Sequence, residues 1–243
     1  MTSTNTLRLL AAVLVATVLP ATAQSKLMPV DCRILCFQRA DEATELVTWG
    51  AQANSEAVIP LSTAMPSQAV RVGAVNNTVR FFRKATAEEV APGKTPPAPK
   101  PVAVVTLPEN ASKALLFFVP EKHEDGTLYT VMALDEVSER FPGGGAFVCN
   151  LHKADVRFLI GENTKQLGPK QTLYLGMPKD RDNFNMARVA FQFMDAQGQW
   201  RTATETRLRF TPGLRQILVT FLDPASGRPR MRAITDTPPA GHP

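Results

Sequence analysis

The sequence predicts an all-β fold made of two tandem β-sandwich halves related by an internal duplication. Short runs rich in Val, Ile, Phe and Thr alternate with Gly, Pro, Asn and Asp, and helical periodicity is scarce. Twenty prolines are spread along the chain, which disfavours long helices. Similar phrases also recur in the same order in the two parts of the chain. A hydrophobic content of 44% is enough to build a core.

The N-terminal segment 1–23 has the organisation of a secretory signal peptide. Arg8 precedes an apolar run from Leu9 to Leu19, and the small residues that follow a proline end at Ala23. About 20 apolar residues are needed to span a bilayer, so this run is too short for a transmembrane helix. We therefore expect cleavage near Ala23 and a periplasmic or secreted mature chain without a transmembrane segment.

The rest of the chain is divided into a first half, 24–138, a second half, 139–236, and a disordered tail, 237–243. One helical turn is predicted at 41–47. The segments predicted as strands are 31–38, 57–62, 69–73, 78–84, 102–106, 114–119, 128–134, 145–150, 154–160, 171–176, 187–194, 200–210, 215–222 and 229–235.

The duplication is predicted from phrases that match between the halves. "CFQRADEATELV", which begins at Cys36, resembles "CNLHKADVRFLI", which begins at Cys149. The separation between matching residues is smaller at Gly126 and Gly227, because a proline-rich insertion, 86–101, lengthens the first half only. Without it each half has about the size of an immunoglobulin-like sandwich, so two immunoglobulin-like halves are expected.

The phrase "RFPGGGAFVCN" (140–150) raises the question of an active-site loop. A P-loop needs Gly-Lys-Ser/Thr at the start of a helix, whereas Ala146 to Val148 continue as a strand. A lipase-type oxyanion loop needs a histidine where Pro142 stands. We interpret the glycines as a flexible and sterically open connection into the first strand of the second half.

The histidines offer little support for catalysis. His152 is three residues from Cys149, so a strand would point the two side chains to opposite faces. His123 lies among loop acids, a pattern more typical of a solvated turn than of a metal site. His242 lies in the tail. The sequence predicts a protein that is not an enzyme and has no cofactor and no metal.

The cysteines leave two alternatives. On one strand, Cys32 and Cys36 would have Cα atoms about 13 Å apart, beyond the reach of a disulfide, so any bridge must use Cys149. Such a bridge would place the first strands of the two halves side by side. If the halves have separate cores, Cys36 and Cys149 are instead unpaired and three free thiols are expected.

The one surface predicted to bind a partner is a row of arginines on two strands near the C-terminus. Removal of Arg8 with the signal peptide lowers the net charge from +5 to +4, so this row is locally dense. Arginine serves a solvated outer face well, which is the alternative interpretation. A binding face would take an anionic envelope component or another envelope protein, and no specific nucleic acid is predicted. The six residues are Arg201, Arg207, Arg209, Arg228, Arg230 and Arg232.

The signal peptide, the duplicated strand pattern and phrases such as "AFVCNLHKADVRFLIGENTKQLGPKQTLYL" resemble those of exported two-module immunoglobulin-like proteins of unknown function from bacterial envelopes. The resemblance carries over no functional residues. It implies an exported, non-catalytic protein with a binding, scaffolding or envelope-assembly role. The alternative is a carbohydrate-binding or accessory module of a hydrolase system, which exposed aromatic rows on one sheet would favour.

Overall fold

A computed structural model describes residues 27–52, 54–84, 99–136 and 141–238. None of these residues is helical, and most lie in strands, so the all-β prediction is confirmed. The predicted signal peptide 1–23 lies outside the described residues. So do most of the predicted insertion 86–101 and most of the predicted tail 237–243.

The described residues of the first half form eight strands: β1 (Leu27–Cys36), β2 (Glu45–Trp49), β3 (Glu56–Pro60), β4 (Val70–Val75), β5 (Thr78–Phe81), β6 (Ala103–Thr106), β7 (Lys113–Pro120) and β8 (Tyr129–Asp135). Six of them form a closed barrel in the order β1-β4-β5-β6-β8-β7, and β2 pairs with β3 separately. The closed barrel differs from the predicted sandwich, because two short strand pairings connect what would otherwise be two separate sheets. A tight turn through Asn76 and Asn77, both with positive φ, returns β4 into β5, and β6 pairs briefly in parallel with β8.

Residues 141–236 of the second half also form eight strands: β9 (Ala146–Asn150), β10 (Val156–Ile160), β11 (Asn163–Leu167), β12 (Thr172–Leu175), β13 (Met186–Met194), β14 (Trp200–Arg209), β15 (Arg215–Leu222) and β16 (Pro229–Asp236). They form two four-stranded sheets, in the orders β11-β10-β13-β14 and β12-β9-β15-β16. Buried apolar side chains from both sheets share one core between them. The second half is therefore built as two packed sheets.

Strand pairing follows the same pattern in both halves. The first strand of each half pairs antiparallel with the fourth strand and parallel with the seventh, as β1 does with β4 and β7, and β9 with β12 and β15. The seventh strand then pairs antiparallel with the eighth in each half. Each half thus contains a four-stranded layer with the same order of strands.

Two elements differ from the sequence prediction. The helical turn predicted at 41–47 is wrong, because β2 occupies Glu45–Trp49 and pairs with β3. Its Leu46 packs in the first-half core, so a tertiary contact overrides the local helical preference. Strand β11 was not predicted, because its sequence "NTKQL" is largely polar. It forms a hairpin with β10 across a turn at Gly161, whose φ is +55°.

The described residues contain three hydrophobic clusters. One fills the barrel, and a second lies between the two sheets of the second half. The third belongs to both halves: Leu35 and Phe117 from the first half pack with Phe147 and Val219 from the second half. The halves therefore share a continuous buried interface.

The cysteines are free and buried. Cys32 and Cys36 lie in the barrel core, whereas Cys149 lies in the cluster shared by the halves. The expectation that Cys36 and Cys149 occupy different cores and remain unpaired is confirmed. No disulfide joins the first strands of the two halves, since β1 and β9 are each paired within their own half.

The glycine-rich connection is packed tightly, which contradicts the predicted flexible and open linker. A Cβ at Gly143 would lie 1.9 Å from the carbonyl oxygen of Pro212, and one at Gly145 would lie 2.7 Å from that of Leu175. Gly144 has a φ of +80° and its N–H donates a hydrogen bond to Leu214. The glycines are needed for close backbone approach, not for freedom of movement.

Candidate binding cleft between the two halves

The interface between the halves has two distinct ends. Strands β1 and β7 run parallel, and so do β9 and β15. Both strands of a parallel pair therefore start at the same end of their layer and finish at the other end. Arg33 on β1 and Arg215 at the start of β15 bind the same carboxylates at one end. Phe37, just after β1, contacts Phe221, near the end of β15, at the other end. We name these the charged end and the cleft end.

The charged end contains two arginines and two acids, contributed equally by the two halves. Arg33 donates hydrogen bonds to Glu136 at 2.9 Å and to Asp236 at 2.6 Å. Arg215 donates to the same two carboxylates, at 2.7 Å and 2.6 Å. The Arg215 guanidinium also lies 4.3 Å from the ring centroid of Phe141. Each carboxylate therefore bridges arginines from both halves.

This cluster is withdrawn from solvent. The side chains of Arg215 and Asp236 are 0% exposed, and that of Glu136 is 2% exposed. Burial alone lowers the pKa of the Arg33 guanidinium, but its hydrogen bond to Asp236 and the negative charge of Asp236 raise it overall. Two positive and two negative groups balance, so the cluster is suited to holding the halves in one register. Arg33 and Asp236 also line a cavity of about 350 Å³ at this end.

The cleft end leaves a cavity of about 660 Å³ between the halves. That volume lies within the range of about 300–1,000 Å³ typical of small-molecule sites, which are often found at domain interfaces. The lining is mostly apolar, with a few polar groups. The lining includes Phe37, Met132, Cys149, Leu151, Lys153 and Phe221.

The wall of the cleft is formed by an aromatic contact between the halves. The rings of Phe37 and Phe221 lie 5.0 Å apart, centroid to centroid, in an edge-to-face arrangement. Arg232 donates hydrogen bonds to the backbone carbonyls of Phe37 and Thr63, which fixes the chain that leaves β1. The wall is thus held by contacts from both halves.

The mouth of the cleft is crossed by an ion pair. Lys170 of the second half lies 2.6 Å from Glu121 of the first half, and the Thr130 hydroxyl donates to the same carboxylate at 2.8 Å. The hydrogen bonds from Lys170 and Thr130 hold the pKa of Glu121 below its usual range. His123 lies 3.0 Å from the Thr130 hydroxyl, on the hairpin turn where the sequence placed it.

Cys149 lines the cleft but is a poor nucleophile. Burial raises the pKa of its thiol to about 12, and burial likewise raises the pKa of Cys32 to about 12 and that of Cys36 to about 11. Thiolate is the reactive form, so each sulfur is strongly disfavoured as a nucleophile at neutral pH. The Nδ1 of His152 accepts a hydrogen bond from the N–H of Ala154 at 3.1 Å.

Three of the six predicted arginines lie on β14, on the outer face of one sheet. Leu208 packs toward the core, so Arg207 and Arg209 on either side of it point outward. Arg207 pairs with Asp182 and Arg201 pairs with Asp195, both at 2.8 Å. Much of the predicted positive charge is therefore neutralised by loop acids.

The other three arginines belong to the opposite sheet. Arg228 precedes β16, and Arg230 pairs with Asp223 at 3.0 Å. Arg232 lies on the face of β16 that packs against the first half, where it binds backbone carbonyls. The six do not form one row, because β14 and β16 lie in different sheets and Arg232 is engaged against the first half. Strand periodicity predicts faces but does not assign a strand to a sheet.

In the part of the chain that the structure describes, no three His, Cys, Asp or Glu side chains cluster as metal ligands would. The same residues include no helix with the length and hydropathy of a membrane span.

The residues of the cleft were not predicted as a site. Phe37, Met132 and Phe221 each look like ordinary strand or core residues in the sequence, and Lys153 and Lys170 look like solvated loop charges. The match between the halves was the one signal in the sequence that could have pointed to the cleft. Where two similar layers pack face to face, the ends of their matching strands lie close together. No family model matches the chain, and no curated protein matches it closely enough to count as a relative.

Proposed function

We propose that the protein is an exported, non-catalytic binding protein whose ligand site is the cleft between the halves. The observation that carries this proposal is the mostly apolar cavity of about 660 Å³ at one end of an interface whose other end holds buried ion pairs and a smaller cavity of about 350 Å³. A preformed concave site with apolar walls and a few polar groups is the usual form of a small-molecule site.

The test uses N-phenyl-1-naphthylamine, an uncharged probe that fluoresces in apolar surroundings. We expect saturable binding to the protein. Met132→Trp should fill the cleft and weaken binding at least about tenfold, whereas Met194→Trp, a matched change at an exposed site on β13, should not. Unsaturable binding, or equal binding by the two variants, would contradict the proposal.

Export to the periplasm or the medium rests on the predicted signal peptide 1–23. N-terminal sequencing of the protein recovered from the cell envelope or medium should find a chain that begins close to Gln24. An intact chain that begins at Met1 and is confined to the cytoplasm would refute export.

The non-catalytic part of the proposal is supported by the raised pKa of each thiol, including that of Cys149 in the cleft. We expect the purified protein to leave general ester, glycoside and peptide substrates unchanged. Turnover that a single substitution in the chain abolishes would overturn this part.

We also propose that the halves are immunoglobulin-like copies of one duplicated unit, as the resemblance to exported two-module proteins implies. The shared pairing pattern of β1 and β9 supports it. So do Gly126 and Gly227, which have positive φ in equivalent hairpin turns. Sequence profiles built separately from homologues of each half should detect one another, and their failure to do so would count against duplication.

A carbohydrate-binding role is the second candidate. Trp49 is 49% exposed and lies against Phe82, with ring centroids 5.7 Å apart. Trp200, by contrast, is covered by the Arg157 guanidinium at 4.1 Å. If Trp49 stacks on sugars, Trp49→Ala should abolish retention on insoluble glycans while Trp200→Ala does not. Wild-type protein that is not retained on such glycans would exclude this candidate.

A further inference from the structure

We infer that the cleft binds a single-chain amphiphile with an anionic head group, its aliphatic chain lying along the apolar walls and its head group beside Lys153. This inference rests on the proposed function, since it names the ligand class for the same cleft. Carboxylate and phosphate head groups share the required chemistry.

The walls favour an aliphatic chain. Phe37, Val119, Met132, Leu151 and Phe221 line the cleft, and Met132 and Leu151 pack against the cluster shared by the halves. An aliphatic chain gains free energy in proportion to the apolar surface that it buries and needs no hydrogen-bond partner. Met132 adapts to chains of differing shape because its side chain is unbranched and flexible.

A peptide strand fits the cleft less well. The N–H of Phe37 donates to Phe118, that of Leu151 to Thr220, and that of Glu121 to Leu128, so these backbone groups are already paired. Peptide addition to a sheet depends on an unpaired strand edge. The amide groups of a peptide placed along the apolar walls would lose water without gaining partners, at a cost for each group.

The charges of the lining favour an anionic head group. Its charged residues are Glu121, Lys153 and Lys170, which leaves a net positive charge. The Lys170 ammonium is engaged by Glu121, whereas Lys153 is exposed, so Lys153 has its charge available for a ligand. Its flexible stem lets the ammonium follow a head group of either geometry. Apolar walls and a basic mouth together fit an amphiphile whose chain lies along the walls and whose head group lies at the mouth.

The experiment measures displacement of N-phenyl-1-naphthylamine by four ten-carbon compounds below their micelle-forming concentrations: decanoate, decyl phosphate, 1-decanol and decyltrimethylammonium. We expect the two anions to displace the probe at concentrations about tenfold lower than the alcohol, and the cation to be weakest. Octanoate should be weaker than decanoate by up to about fourfold for each methylene group removed. Comparing decanoate with decyl phosphate decides which head group is preferred.

The head-group contact is tested by Lys153→Gln, with Lys165→Gln on β11 as the matched control at an exposed site outside the cleft. Lys153→Gln should remove most of the advantage of the anions over decanol, and Lys153→Arg should keep it. Raising the salt concentration should also reduce that advantage, because exposed charges are screened within about 8 Å at physiological ionic strength.

The outcomes separate the two proposals. If the probe binds in the cleft but all four compounds displace it equally, or Lys153→Gln and Lys165→Gln behave alike, the anionic ligand class is wrong and the cleft remains a binding site. If the probe does not bind, or binds regardless of Met132→Trp, the proposed function itself fails.

Discussion

The charged end and the cleft end are formed by the same two layers, yet their cavities differ in size and lining. The cleft end has a mostly apolar cavity of about 660 Å³, whereas the charged end has a smaller one of about 350 Å³ beside Arg33 and Asp236. At the charged end, the side chain of Arg215 is fully buried between carboxylates from both halves. At the cleft end, Phe37 and Phe221 meet edge to face and the loops beyond them stand apart. Buried charges require close, complete pairing, whereas apolar walls tolerate a cavity. The charged end is therefore suited to fixing the register of the halves, and the cleft end keeps the larger apolar cavity that we propose as the ligand site.

The largest expected effect is at the charged end. Arg215→Ala removes one partner of a fully buried cluster and leaves Glu136 and Asp236 with less positive charge beside them. We expect the free energy of unfolding to fall by about 3–5 kcal/mol, measured by urea denaturation. A loss below about 1 kcal/mol would mean that the charged end does not hold the halves together.

An intermediate effect is expected at the wall of the cleft. Phe221→Ala removes the edge-to-face contact with Phe37, which is only partly buried. The free energy of unfolding should fall by about 1–3 kcal/mol. The affinity for N-phenyl-1-naphthylamine should fall in the same variant, because the cleft loses an apolar wall. Arg215→Ala should leave probe affinity unchanged under conditions in which it is folded. If both variants changed affinity equally, the two ends would not be separate in function.

The ion pair across the mouth should contribute less, and with a defined pH dependence. The pKa of Glu121 is lowered in the folded state, chiefly by the hydrogen bond from Lys170, so its stabilisation is present above the unfolded value of about 4.3. This stabilisation is lost as the pH falls through the pKa that Glu121 has in the folded protein. Wild type should lose up to about 1 kcal/mol more than Glu121→Gln between pH 6 and pH 3, because both partners are partly exposed. Parallel pH profiles for the two proteins would contradict this pair.

The smallest effect is expected on the outer sheet. Arg207→Ala breaks an ion pair with Asp182 in which the arginine side chain is 58% exposed. The free energy of unfolding should change little, because an exposed ion pair contributes little to stability. Retention on a heparin column should also remain close to that of wild type, since the arginines are divided between two sheets and Arg232 is engaged against the first half. A large drop in salt-sensitive retention would restore the interpretation of an anion-binding arginine face.

Local patterns in the sequence predict most of the strands, whereas pairing between segments decides the rest. All fourteen predicted segments overlap observed strands, because apolar alternation and turn residues act locally. The polar strand β11 and the strand β2 were missed, because pairing with neighbours determined them. The sequence predicts a flexible connection at 143–145, because it does not show that the backbone of Pro212 packs against Gly143.

The sequence by itself determined the all-β class, the positions of most strands and the absence of a bridge between Cys32 and Cys36, because each follows from local periodicity and chain geometry. Only the tertiary structure decided that the first half closes into a barrel, that the arginines divide between opposite sheets, and that Arg33 and Asp236 meet across the halves. The cleft belongs to this second group. Its walls come from strand ends far apart in the chain, and their meeting depends on how two layers pack, which no local pattern encodes.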